Sequence, residues 1–92
     1  MITIKNSEEI AIMAEGGAKL ARVKNALKEA VGVGVKASEI EELANELIDK
    51  EGGKASFKMV SGYSWATCVN VNEDLVHGIP GSNVAFKKGD LV

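Results

Sequence analysis

Between Ala66 and Pro80 the chain carries its only histidine, its only cysteine and its only proline. A β-rich run (Thr67, Val69, Val71) reaches the polar Asn72-Glu73-Asp74. A second short run then closes at Gly78-Ile79-Pro80, which predicts a β-hairpin followed by a sharp change of direction. Side chains alternate along a strand, so Cys68, Asn70 and Asn72 share one side while Val69 and Val71 share the other. A two-residue loop at Glu73-Asp74 sets Asn72 opposite Leu75, Asn70 opposite His77 and Cys68 opposite Ile79. Cys68, Asn70 and His77 then lie on one face. A three-residue loop sets Val69 opposite His77 and moves Cys68 to the far side. Spacing alone leaves both registers open.

The residues before this stretch read as two helices. Ile2-Thr3-Ile4 is a short strand or extended arm, and Asn6 with Glu9 forms a capping-box start. The first helix runs to about Val31, with Ile10, Met13, Gly17, Leu20, Leu27 and Val31 on one stripe that Lys24 interrupts. Gly16-Gly17 inside it costs about 1 kcal/mol per glycine relative to alanine, for which close approach of another backbone is the simplest compensation. Gly32-Val33-Gly34-Val35-Lys36-Ala37 formally matches a dinucleotide-binding fingerprint. It follows a long helix rather than a strand, so it reads as a connector with capping glycines.

The second helix is predicted from near Ser38, capped by Ser38 with Glu41, and ends at Gly52-Gly53. Ile40, Leu43, Ala44, Leu47 and Ile48 form its apolar stripe. Glu39, Glu41, Glu42, Glu46 and Asp49 fall away from that stripe with no histidine nearby, and read as a solvated acidic face rather than as metal ligands. Ala55 to Ser61 suggests a strand. Gly62-Tyr63-Ser64-Trp65 crosses to the hairpin, Lys87-Lys88-Gly89-Asp90 forms a turn, and Leu91-Val92 opens another strand.

Composition removes several function classes. A net charge of −2 leaves no electrostatic footprint for nucleic acid. The longest apolar run, Ala30 to Val35, is far below a membrane span, and the N-terminus turns acidic at Glu8-Glu9 without an apolar signal core. One cysteine makes no internal disulfide. The reading is a cytoplasmic chain with no membrane or nucleic-acid partner. One histidine, one cysteine and helix-surface acids supply no credible dinuclear metal site.

The run Cys68-Val69-Asn70-Val71-Asn72-Glu73 followed by Val76-His77-Gly78-Ile79-Pro80 resembles the first signature of the type I methionine aminopeptidases. The likeness extends through Ile4-Lys5, Glu8-Glu9-Ile10, Met13, Gly17, Leu20-Ala21, Glu39-Ile40, Gly62-Tyr63 and Lys88-Gly89-Asp90-Leu91-Val92. It implies an α+β fold, the N-terminal half of a pita-bread architecture with two helices on a curved, mostly antiparallel sheet. Residues 1–92 would be a single partial domain.

The resemblance also implies metal-dependent removal of the initiator methionine from nascent polypeptides. His77 would contact the scissile amide and stabilise the tetrahedral intermediate, Tyr63 and Cys68 would line the methionine pocket, and Trp65 would reshape its mouth. The complete enzymes use two divalent metal ions, whose ligands lie beyond the element matched by Gly89-Asp90-Leu91-Val92. The chain is therefore expected to be truncated, to bind no metal pair and to be inactive alone, needing the missing C-terminal half as a partner. The alternative is a metal-free pita-bread binding module or a gene remnant.

Overall fold

The computed structural model describes residues 1–92, and its regular structure is helical. Helix α1 spans Ser7–Ala30 and α2 spans Ala37–Lys50, followed by a single 3₁₀ turn at Ser56–Met59. Asn6 caps α1 as the sequence predicts: its Oδ1 accepts from Glu9 N at 2.9 Å, and Glu9 Oε2 accepts from Asn6 N at 3.1 Å. Helix α2 is capped at Lys36 rather than at Ser38. Glu39 Oε2 accepts from Lys36 N at 2.7 Å, whereas Glu41, the residue assigned to that cap, is engaged elsewhere. At the C-terminal end Gly52 takes φ +76. Gly52 N donates to Asp49 O and Gly53 N to Ile48 O, the paired bonds of a glycine-terminated helix.

The two helices form a hairpin whose closed end is the core. Ala37, Ile40 and Phe86 are buried there, with Leu27, Ala30, Val31, Val35, Val69, Val71 and Val84 packed around them. Phe86 is drawn in by the connector: Phe86 N donates to Val35 O at 2.9 Å, Gly34 N to Phe86 O and Ala37 N to Val84 O, both at 2.8 Å. On the outside, Arg22 forms a two-pronged ion pair with Glu51 at 2.7 and 3.1 Å, tying α1 to the end of α2. That pairing raises the Arg22 pKa and lowers that of Glu51.

The other end of α1 stands clear of the core. Ile10, Met13 and Leu20 of the predicted stripe are exposed, and Val23 is the only buried residue of the helix. A 24-residue helix is about 36 Å long, so α1 outruns α2 and leaves the molecule 45 Å in its longest dimension. The radius of gyration is 15.1 Å, against about 12 Å for a compact domain of this length. Gly16 and Gly17 face open space: a Cβ at either position would meet nothing within 4 Å, so the close backbone approach expected there is absent.

The largest correction concerns the sheet. No β-strand is present, and the α+β expectation of two helices on a curved, mostly antiparallel sheet is overturned for this chain. Lys36 and Ala85 make the one isolated antiparallel bridge, and the strand expected at Ala55–Ser61 is replaced by the 3₁₀ turn. The physical reason lies in where the backbone amides go. Gly78 N donates to Asn70 Oδ1, Leu91 N to Asn72 Oδ1, and Ala66 N and Thr67 N to Glu41. Side-chain acceptors intercept the donors a ladder needs. Asn72 and His77, both at φ +57, break the extended path as well.

Candidate functional site

The site begins where the chain leaves the 3₁₀ turn. Tyr63 N donates to Val60 O, and the Tyr63 ring meets Phe57 and Trp65 edge-on, with centroids 6.2 and 5.3 Å away. Its hydroxyl donates to Thr67 O at 2.7 Å and lies 3.4 Å from Cys68 Sγ. This closes residues 63–68 into a small loop. Burial first, then the hydrogen bond and charge of Cys68 and the charge of Glu41, push the phenol up to about 12. Tyr63 is therefore a neutral hydrogen-bonding wall at any physiological pH.

The hairpin carries the loop onward to His77. Val69 N donates to Gly78 O at 2.8 Å, which fixes the register in which Asn70 would stand opposite His77. The turn itself is centred on Asn72-Glu73, closed by Asp74 N to Val71 O, and not on Glu73-Asp74. Gly78 admits no side chain, because a Cβ would overlap Val69 O and come within 2.7 Å of Asn70 Oδ1. The close approach of the two segments and the left-handed φ of His77 together fix the direction in which the imidazole leaves the backbone.

Cys68 and His77 line one cavity of about 530 Å³, with Tyr63, Phe57, Val60 and Ile79 among its walls. Three of the four residues singled out by sequence thus converge. Trp65 does not line the cavity; its ring meets that of Tyr63 edge-on. Cys68 also borders a larger apolar groove of about 700 Å³ between the helices and residues 66–70, with Val92 at its lip.

Glu41 is the residue the sequence reading misplaced. It is not on a solvated face but buried, at 9 % exposure. Its carboxylate accepts from Ala66 N at 2.9 and 3.1 Å, Thr67 N at 3.0 Å, Thr67 Oγ1 at 2.9 Å and Asn45 Nδ2 at 2.8 Å. Asn45 Oδ1 accepts in turn from Lys58 Nζ at 2.5 Å. A signal was available: Glu41 lies four residues after Ala37 and three before Ala44, both fully buried, and so shares their helix face.

No three His, Cys, Asp or Glu side chains converge on a point where a metal ion could be held. The residues of this chain therefore offer no ligand set that fits a divalent metal ion.

The arrangement is thus a two-helix frame that presents His77 beside a wall of Tyr63 and Cys68. Residues 11–92 match the metallopeptidase family M24, and the chain belongs to that family. Its relatives include methionine aminopeptidase 1 of Bacillus subtilis, 41 % identical over all 92 residues and 37 % of the relative. The methionine aminopeptidase of Clostridium perfringens is 40 % identical over the same residues and 36 % of its own length. The crystal structure of methionine aminopeptidase from Thermotoga maritima superposes with a TM-score of 0.93 at 39 % identity, covering 98 % of this chain and 36 % of that one. The chain thus spans little more than a third of the relatives it matches.

Proposed function

We propose that this chain carries the methionine-recognition part of a cytoplasmic methionine aminopeptidase, which removes the N-terminal methionine of nascent polypeptides. The observation that supports this most is the convergence of Tyr63, Cys68 and His77 on one cavity, in a chain whose whole length matches methionine aminopeptidases. The walls supplied by Phe57, Val60 and Ile79 suit an unbranched, flexible thioether, and the Cys68 sulfur adds a polarisable contact. The neutral Tyr63 phenol orients without introducing charge, and Trp65 packs edge-on against its ring.

His77 is exposed at the rim, where the scissile amide of a bound methionyl peptide would lie. A hydrogen bond from its imidazole to that amide strengthens as the carbon becomes tetrahedral, so His77 acts on the transition state more than on binding. Residues 1–92 are, on this reading, one partial domain. The two divalent metals of the complete enzyme fall to ligands this chain lacks, so the chain alone is inactive and depends on a partner carrying the remainder.

The test uses the single histidine and single cysteine as reporters. Titration of the chain with L-methioninamide, followed by NMR, is expected to shift the His77 imidazole and the Tyr63, Cys68 and Ile79 signals together. Absence of those shifts at saturating ligand sinks the pocket assignment. In a full-length enzyme bearing this sequence, His77→Ala is expected to lower kcat by about 10²–10³ with little change in KM. Metal-dependent release of methionine by the 92-residue chain, free of host aminopeptidase, overturns its assignment as inactive alone.

A further inference from the structure

One carboxylate, itself outside the cavity, holds the cavity's wall. Ala66 N, Thr67 N and Thr67 Oγ1 all point at Glu41, and Asn45 Nδ2 supplies a fourth donor. An ionised carboxylate offers about four acceptor sites and no donor, so this set matches it fully. Glutamine has the same shape but would turn an NH₂ group toward some of those donors. The charge is answered indirectly, by Lys58 through the neutral amide of Asn45.

Every bond on the loop side falls immediately before Cys68. Glu41 takes the amides of residues 66 and 67, while the carbonyl of Thr67 accepts from Tyr63. Tyr63 and Thr67 fix the loop to itself, but only Glu41 fixes it to a helix. The neighbouring acids of α2 do nothing comparable: Glu42 and Glu46 are exposed, and Glu39 caps its own helix.

From this geometry we infer that Glu41 is a positioning residue for the Tyr63–Cys68–His77 cavity, setting the place of its Tyr63–Cys68 wall against α2. Cys68 leads directly into the Val69–Gly78 bond, so the anchor also carries to the segment that holds His77. The inference rests on reading that cavity as the methionine pocket, but the loop geometry can be measured without it.

The experiment compares the 92-residue chain with Glu41→Gln, and with Glu42→Gln as the control. The amide protons of Ala66 and Thr67, hydrogen-bonded to a charged group, are expected to resonate downfield in the parent chain and to move upfield in Glu41→Gln. In the same variant their hydrogen exchange and the alkylation of Cys68 by iodoacetamide should accelerate about 10- to 100-fold. Amides in α1 and α2 should stay within about twofold of the parent, and Glu42→Gln should change none of these. Unchanged Cys68 alkylation and unchanged Ala66 and Thr67 amides overturn the inference. So does a uniform loss of protection through both helices, which would make Glu41 a residue of global stability.

If Glu41→Gln fails to fold, Asn45→Ala, which removes one of the four donors and the Lys58 link, is read by the same amide and thiol signals. A change confined to residues 66–68 supports the anchor, and none overturns it. L-methioninamide separates the two readings. Loop signals that respond to Glu41→Gln, with a parent cavity indifferent to the ligand, keep the anchor and reject the methionine pocket. The reverse pattern keeps the pocket and rejects the anchor.

Discussion

Residues 7–50 and residues 55–92 solve the same problem in opposite ways. In the first region the backbone satisfies itself: 32 of the 53 main-chain hydrogen bonds lie within helices. In the second, scattered turn and loop bonds are supplemented by polar side chains. Glu41, Asn70, Asn72 and Asp90 accept from the amides of Ala66, Thr67, Gly78, Leu91 and Lys87. A helix tolerates substitution of most exposed residues because its hydrogen bonds do not use side chains. A loop stitched by side chains concentrates its stability in a few of them, and each one is also a determinant of where the cavity lies.

That contrast is tested most sharply at Gly78. Gly78→Ala forces a Cβ into Val69 O, and should cost about 2–3 kcal/mol while disturbing His77. Denaturant unfolding of the variant measures it, and a loss below about 0.5 kcal/mol would show that the hairpin yields without strain. In the helical region the opposite sign is expected. Gly16→Ala and Gly17→Ala enter open space on α1 and should each stabilise by up to about 1 kcal/mol. Destabilisation by either would mean that the exposed face of α1 is covered in solution.

Two titrations probe the stitched region more gently. Tyr63 is the only tyrosine, so ultraviolet absorbance of tyrosinate reports it alone. Its folded-state pKa is raised to about 12, above the ordinary 10, so its contribution to stability is complete below pH 10 and is lost as the pH climbs through about 12. A midpoint near 10 in the folded chain would remove the Tyr63–Thr67–Cys68 arrangement. At the acid end, the Asn72 amide first and the Lys87 backbone N–H second hold the Asp90 carboxyl below the usual carboxylate range. That contribution is present above the ordinary carboxylate pKa and fades as the pH falls through the folded value. Asn72→Ala should raise the Asp90 pKa towards normal in a carbon-13 NMR titration and leave both helices intact. No movement would mean that Asn72 does not reach Asp90 in solution.

Much of this was legible in the residues themselves. The Asn6–Glu9 cap, the stripe Ile40–Ala44 and the Gly52-Gly53 stop are local patterns in which the chemistry and its partner lie within one or two turns. That Tyr63, Cys68 and His77 belong together was expected from resemblance rather than spacing, and spacing did not foresee the turn that forms, centred on Asn72-Glu73 and closed by Asp74 N to Val71 O. The alternating Thr67-Val69-Val71 pattern, by contrast, predicted a ladder that is not present. The period-2 signal describes side-chain polarity and does not reveal that Asn70, Asn72 and Glu41 capture the amides a ladder requires.

Glu41 marks the boundary between the two kinds of information. The sequence by itself determined that α2 exists and where it stops, because helical periodicity is a property of neighbouring residues, but its apolar stripe, read alone, leaves Glu41 on the solvated side. It did not determine that this carboxylate would be buried rather than solvated. Burying a charge is favourable only if donors meet it, and those donors belong to Ala66 and Thr67, 25 and 26 residues further along the chain. Only the tertiary structure brings them within about 3 Å.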